Sequence, residues 1–431
     1  MKIAVIGAGV IGVTTAYELA VDGHDVTVLE RCGAVAEMAS FANAGVIAPG
    51  CVGPWSSPNL TRALFNHSLN RPNALGLRLP LTGTEWRWLW RASRSEKSDV
   101  GRSSRRTMQR LASYSRERLD YLVESLSLEF EASQGLLVLL RSDKEHKRAK
   151  AELRNLHETG FSAVGISAVQ ARELEPALSA ETKLYSAIHL PNDGVANCRQ
   201  FALLLRRKAE LLGVNFEFNS TVAPLDTRRP AFLSITSNRS TESINRIFDC
   251  VVMCAGVGTQ ALVKPLGVNL PVTRVFGYSV SATIGEAMNA PRSAVIDERY
   301  KVAISRLGQR VRVSGATELG GDTNVKHLTS LQLLYKVLQD WFPGAALFSG
   351  SDPRAGRNLG AGVQEWKGAF PTTPDGPPFI GDSRIPGVWL NVGHGAHGWA
   401  MACGSARALA DMMAGKVPQI DTDGFGVDRL R

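Results

Sequence analysis

The first thirty residues restrict the fold more than any other stretch of this chain. Ile3–Ile6 read as a buried parallel strand, Gly7, Gly9 and Gly12 follow in GxGxxG spacing, Val13–Ala20 read as a helix, and Asp25–Leu29 read as a second strand ending at Glu30. The spacing has a physical cause: one glycine allows the tight turn, one lets a pyrophosphate approach the backbone, and one lets helix and strand pack closely. The helix N-terminus then faces the phosphates. Glu30 stands about twenty residues on, where a carboxylate accepts both ribose hydroxyls and repels a 2′-phosphate, so FAD or NAD is favoured over NADP.

At 431 residues the chain has room for two or three domains of about 150 residues each. The Gly/Pro/Ser-rich stretch Ala44–Pro58 is too long for a simple turn and reads as wrapped along the dinucleotide. Gly83–Leu128 is helical in pattern, Leu136–Leu140 is a short apolar strand, and Asp143–His157 is a charged helix. A second parallel-sheet signature follows: helix Gln200–Leu212, strand Val214–Phe218, and strand Asp249–Cys254 running into glycines, which brings Ala255 and Gly256 close to a nucleotide. An independent NAD(P) site here, with Arg274 on a phosphate, is the weaker reading, because Pro265 follows at once and no full βαβ unit does. From Arg274 to Ala316 the pattern alternates as in an antiparallel sheet, with a helix at Ser330–Phe342. The chain then returns to Gly/Pro-rich loops and a last strand, Val388–Val392. This strand opens into Gly393-His394-Gly395-Ala396-His397-Gly398-Trp399 and a helix near Met401, so amide N–H groups again gather where negative charge can sit.

A formal charge of +9 admits an anionic partner: a membrane surface, an acidic substrate or nucleic acid. Arg105, Arg106, Arg110, Arg116 and Arg118 cluster in one helical stretch, but no interleaved aromatics or nucleic-acid module accompany them. A solvated face is expected there, and no nucleic-acid partner. Six cysteines without a CxxC pair suggest a reduced compartment and no metal or iron–sulfur site, and Cys254 reads as core. The apolar N-terminus carries three motif glycines and runs into a charged helix, so no cleavable leader is expected. Its uncharged run is shorter than the ~20 residues of a membrane span. A cytoplasmic location is expected. Trp86, Leu89 and Trp90 beside Arg87 and Arg91 keep peripheral contact with the inner face of the cell membrane open, against the alternative that they pack on a core.

With these motifs in hand, the chain resembles the FAD-dependent D-amino acid dehydrogenase small-subunit family, within the wider group of D-amino acid oxidase, glycine oxidase and sarcosine oxidase. The resemblance runs nearly end to end. It rests on GAGVIGVTTAYELA at Gly7–Ala20, SFANAG at Ser40–Gly45, PGCVGPWSSP at Pro49–Pro58, GYS at Gly277–Ser279, TPDG at Thr373–Gly376 and GHGAHGWAMACGS at Gly393–Ser405. It implies an α/β fold: an FAD-binding, Rossmann-like parallel-sheet domain from 1–52, 195–265 and 352–431, with an inserted antiparallel-sheet-plus-helices substrate domain from 53–194 and 266–351. It also implies oxidation of the C–N bond of a D-amino acid or related amine to an imine by hydride transfer to flavin N5, with electrons passed to a quinone or another acceptor. By the same resemblance Gly7, Gly9, Val10, Ile11, Gly12, Glu30 and Arg31 hold the adenosine end. Ser40, Asn43, Ala44 and Gly45 line the stretch from pyrophosphate to flavin, and Val222 meets the adenine through its backbone. Gly393, His394, Gly395, His397, Gly398 and Trp399 close over the isoalloxazine.

Two positions depart from the family pattern. Where the family carries an arginine as carboxylate anchor, this chain reads Gly368-Ala369-Phe370-Pro371; where it carries lysine before GYS, this chain has Phe276. A guanidinium binds a carboxylate bidentately and a phenyl ring cannot. Three explanations stand side by side. The carboxylate is held from elsewhere, with Lys367, Arg274, Arg306 and Tyr278 as candidates. Alternatively, the substrate is an imino acid of the proline or hydroxyproline type, or an amine without a carboxylate, against an aromatic wall. Otherwise the chain is a flavin-bearing electron-transfer or structural subunit that depends on a hetero-oligomeric partner. His397 is a candidate to take a proton from the amine or to bind a substrate group, and Tyr278 and Tyr300 are candidates to donate to a carboxylate.

Overall fold

The computed structural model describes residues 1–54, 75–96, 99–238, 242–346 and 362–430. Apolar alternation at the N-terminus gives the first strand, Lys2–Ile6, which is buried from Ile3 onward, as a strand covered on both faces must be. It sits inside a six-stranded sheet ordered Phe379–Asp382, Val388–Val392, Cys250–Met253, Lys2–Ile6, Asp25–Leu29, Asn215–Glu217. All pairings are parallel except that of Phe379–Asp382 with its neighbour, an antiparallel edge. Helices Val10–Val21, Cys198–Leu211 and Gly398–Met413 cover one face through one apolar core. The three-stranded sheet Ser220–Val222, Phe232–Ser237 and Ser243–Ile247 packs on the other. The helix Val10–Val21 begins three residues earlier than its apolar pattern suggests, because its first turn is made by the motif itself.

The second sheet has ten strands. Its order runs Gln364–Thr372, Thr273–Thr283, Arg310–Gly320, Val302–Leu307, Ala294–Asp297, Ala132–Leu140, Ser186–Ala196, Val46–Ile47, with Leu75–Arg78 paired to Arg310–Gly320 and Val164–Ser167 paired to Ser186–Ala196. It is antiparallel apart from two parallel pairings, Ala294–Asp297 with Ala132–Leu140 and Leu75–Arg78 with Arg310–Gly320. One of its faces packs on the helix Leu328–Trp341. Gln364–Thr372 thus joins this sheet, although it falls within the segment expected to belong to the parallel one; the boundary expected at 352 lies outside the described residues, as does the 55–58 end of the loop that begins at Ala44. The expected solvated arginine face is largely neutralised: Arg105 pairs with Glu152, Arg110 with Asp421, Arg116 with Asp120 and Arg118 with buried Glu18.

Candidate active site

One cavity of about 600 Å³ runs from the carboxyl ends of the parallel strands to the underside of the second sheet. Gly7, Gly9, Val10, Ile11, Glu30, Arg31, Val222, Ala255 and Gly256 line its first part. The motif glycines act as their spacing requires. A Cβ on Gly12 would lie 1.8 Å from the Gly7 carbonyl oxygen, and Gly7, at φ +104°, would place one 2.6 Å from the Cys254 carbonyl oxygen. Gly12 therefore serves packing beneath the cavity rather than its lining. Glu30, buried at the strand end, accepts the Ala8 N–H at 2.6 Å through Oε2 and the Cys32 N–H at 2.8 Å through Oε1. The Ala255–Gly258 stretch meets this same cavity, so the middle of the chain completes the first nucleotide site and forms no second one.

The middle of the cavity is built where the two sheets meet. Ser40 Oγ accepts the Val10 N–H at 3.1 Å, which sets a hydroxyl at the helix N-terminus. The Asn43–Gly45 segment is pinned from the second sheet: Ser305 Oγ donates to the Ala44 carbonyl at 2.7 Å, and Arg312 Nη1 donates to the Asn43 carbonyl at 3.1 Å. Arg312 also donates to Ser281 Oγ at 2.9 Å. Burial, aided by Arg310, pushes the Arg312 guanidinium down to about 10, a value at which it still carries its charge at neutral pH. The polar residue in an inward phase of Val311-Arg312-Val313-Ser314 was the available signal for this residue, and the motif reading passed over it.

The loop Gly393–Trp399 lies along this part of the cavity, with Gly393 held against Thr373 behind the lining. His394 is buried, and burial pushes it down to about 3; burial, helped by Arg105 and opposed by a hydrogen bond to the Gly53 backbone, pushes His397 down to about 4. Both imidazoles are neutral at pH 7. Trp399 Nε1 donates to the Ala196 carbonyl at 3.1 Å, so this ring braces the loop. His394 Nε2 and Asn391 Oδ1 are buried and lack a hydrogen-bond partner among the described residues, and both residues line the cavity. Orphaned polar atoms, a helix N-terminus that carries the Ser40 hydroxyl, and a carboxylate at the far end fit a dinucleotide with a polar ring system.

The reactive end differs from the sequence expectation. Trp366, Phe370, Gly277, Ile296, Lys301 and Ala303 line it. A Cβ on Gly368 would fall 1.9 Å from the Trp366 ring, and one on Gly277 would fall 3.2 Å from Phe370 Cε1, so the Trp366 ring covers a glycine of its own strand and the Phe370 ring one of the neighbouring strand. Lys367 is a correction. Strand alternation turns it to the opposite face, where Nζ meets Glu318 Oε1 at 2.7 Å and donates to the Asp322 and Val325 carbonyls at 2.7 and 2.8 Å. The Tyr278 hydroxyl is also taken: it donates to Glu318 Oε1 at 2.7 Å, accepts the His327 N–H at 3.1 Å, and is pushed up by burial. Tyr278 nevertheless lines the cavity, whereas Phe276, 4.3 Å from the Lys367 ammonium, does not.

Tyr300 instead stacks between Arg141 and Lys336, and Arg306 donates to the Gly308 and Ala287 carbonyls; neither lines the cavity, and nor does exposed Arg274. Among the described lining residues the cation at this end is Lys301, paired with Glu298. Trp366 and Lys301 were missed because neither falls in a motif.

A parallel sheet that holds a dinucleotide beneath a second, mainly antiparallel sheet, with one cavity shared between them, defines an oxidoreductase of the flavin-binding kind. The chain belongs to the FAD dependent oxidoreductase family, whose pattern matches residues 2–412. It is 36% identical over 433 residues to a D-amino acid dehydrogenase of Bradyrhizobium diazoefficiens, covering 100% of this chain and 99% of that one. Solved structures with the same fold include glycine oxidase from Geobacillus kaustophilus, with TM-score 0.72, 19% identity and coverage of 99% and 98% of the two chains. L-proline dehydrogenase from P. horikoshii superposes with TM-score 0.71 and 18% identity, covering 100% of this chain and 97% of that one. FAD is the cofactor of this family, and a small-molecule substrate and an electron acceptor follow from it. Among the described residues, no helix is long and apolar enough to cross a membrane.

Proposed function

We propose that the protein oxidises the C–N bond of a D-amino acid or related amine to an imine and passes the electrons to a quinone or another acceptor, with peripheral contact on the inner face of the cell membrane. The observation that carries this reading is the single cavity that joins the Glu30 end to the Trp366–Phe370 wall. Bound FAD supplies the two-electron acceptor for the hydrogen leaving the substrate carbon. Glu30 would take the ribose hydroxyls, the Val10 N–H and Ser40 the pyrophosphate, and His394 Nε2 and Asn391 Oδ1 the polar edge of the ring system. The discontinuous nucleotide unit would comprise 1–52, 195–265 and the part of 352–431 that follows strand Gln364–Thr372.

The chain's own contribution is orientation and the exclusion of water, since no nucleophile is needed. Trp366 and Phe370 form a flat apolar ceiling that fixes the substrate body, and an amine lying over either ring gains a cation–π contact until it loses its proton. His397 is neutral and can accept one hydrogen bond from a substrate N–H. Lys301 is the group placed to meet a carboxylate.

The aromatic ceiling also favours a second reading, a cyclic imino acid of the proline or hydroxyproline type. Anaerobic bleaching of bound flavin across D-amino acids, cyclic imino acids and carboxylate-free amines tests both. Bleaching by D-amino acids supports the first reading and bleaching by imino acids alone supports the second. Bleaching by none refutes both in favour of a partner-dependent flavin subunit.

A further inference from the structure

The helix Gly83–Glu96 has two faces of opposite character. Its inner face, Trp88, Leu89 and Ala92, packs with Leu77, Leu81, Val275, Leu319 and cavity-lining Phe370, and Trp88 Nε1 donates to the Thr372 carbonyl at 2.9 Å. Its outer face carries Trp86 and Trp90, 53% and 59% exposed at i, i+4 spacing, with Arg87, Arg91 and Arg94 exposed beside them. The Arg94 guanidinium lies 4.7 Å from the Trp90 ring centroid. Glu85, the acid at the start of the helix, is buried and accepts the Thr82 N–H at 2.7 Å, so it contributes nothing to the outer face. Leu79, just ahead of the helix, is 67% exposed.

Two bare indoles on a globular surface lose free energy to water unless something covers them. The occupant is identified by what lies at the same level as the indoles. Guanidiniums alternate with them along one stripe, which suits neither an apolar protein patch nor a stacked nucleic-acid groove. It does suit the headgroup region of a bilayer, where indoles settle at the interface and guanidiniums reach phosphates. The chain's charge of +9 adds long-range attraction to an anionic leaflet.

We infer that the outer face of Gly83–Glu96 rests on an anionic phospholipid surface. This deepens the peripheral-membrane part of the proposed function. It also gives that contact a purpose, since a single layer of side chains separates the stripe from Phe370 at the reactive end, on the side from which a lipid-dissolved acceptor would arrive.

The test is co-sedimentation of the flavin-loaded protein with vesicles of equimolar phosphatidylglycerol and phosphatidylcholine, against phosphatidylcholine alone. Binding is expected only to the anionic vesicles and is expected to weaken from about 0.05 to about 0.5 M salt. W86S/W90S and R87Q/R91Q should each lower partitioning about tenfold or more. R148Q/K150Q, an equal change of charge on the exposed helix Asp143–Glu158, should leave it unchanged. The inference is overturned if anionic vesicles do not bind, or if the R148Q/K150Q control loses as much as R87Q/R91Q. It is equally overturned if light scattering shows a dimer of this chain that W86S/W90S dissociates. Flavin bleaching measured without vesicles is expected to be the same in all variants, so failure here leaves the amine-oxidation reading standing.

Discussion

Replacing Lys367 with methionine separates a substrate anchor from a structural cation. The lysine is 8% exposed, and its ammonium makes three contacts: Glu318 Oε1 at 2.7 Å, the Asp322 carbonyl at 2.7 Å and the Val325 carbonyl at 2.8 Å. Glu318 has no exposed side-chain surface; after the change it keeps Arg78 Nε at 2.8 Å and the Tyr278 hydroxyl at 2.7 Å. Breaking a buried ion pair from one side costs about 3–5 kcal/mol. The two orphaned carbonyls each add about 1 kcal/mol, while the retained Arg78 contact lowers the total, so about 3–4 kcal/mol is expected. Methionine fills most of the volume, so a cavity contributes little.

Equilibrium urea unfolding reads this loss, and KM with an artificial acceptor should be nearly unchanged. Lys367→Met/Glu318→Gln should recover part of the stability, because no charge is then left short of a partner. Burial raises the Glu318 pKa, but hydrogen bonds from Lys367, Arg78 and Tyr278 outweigh it and hold the carboxyl below its usual range. Its stabilisation is therefore present above the ordinary carboxylate pKa and lost as pH falls through the folded value, and the acid limb should be shallower in Lys367→Met. A tenfold rise in KM with an unchanged urea midpoint would refute the structural role.

Glu30→Gln leaves one of two backbone N–H groups without an acceptor and should weaken FAD binding by about 10–100-fold, read by flavin fluorescence on dilution. Phe370→Arg should improve turnover of simple D-amino acids if the wall merely displaced an anchor; no gain in kcat/KM would mean that the pocket has been rebuilt around Trp366. With His397 at about 4 and His394 at about 3, the rate of flavin bleaching should show no histidine inflection between about pH 6 and 8, and a step near 6.5 would contradict the burial of both rings. Asp193 is pushed up to about 7 by burial, so it favours the folded state when protonated, and that advantage is lost as pH rises from the unfolded value through 7. Asp193→Asn should then raise stability at pH 8 by about 1–3 kcal/mol, by a smaller amount at pH 5, and hardly at all below the unfolded carboxylate pKa, in urea titrations.

The nucleotide end was legible because each feature there is local. Gly7, Gly12 and Glu30 are tied to a strand, a turn and a helix that follow one another in sequence, so period and spacing carry the geometry. The strand Val388–Val392 and its glycine loop were readable for the same reason. The reactive end was not legible, because it depends on which face of Gln364–Thr372 meets the cavity. Lys367 and Phe370 fall on opposite faces there, and the order of neighbouring strands decides which face is which. Lysine before Gly-Ala-Phe-Pro has the chemistry of an anchor, yet pairing with Tyr278 and Glu318 fixes it on the other side. The helix Gly83–Glu96 was readable as amphipathic, but only packing separated Trp88, which is buried, from Trp86 and Trp90.

The two-residue period of Gln364–Thr372 has an evolutionary consequence. Trp366 and Phe370, which line the cavity, and Lys367, which is tied to Glu318 and to the Asp322 and Val325 carbonyls, lie on opposite faces of the same nine residues. Mutations at Lys367 would be purged for their effect on folding, whereas those at Trp366 and Phe370 can accumulate with the strand intact. A lineage can thereby exchange an arginine for a phenyl ring, and one amine for another, without renegotiating the architecture that carries it.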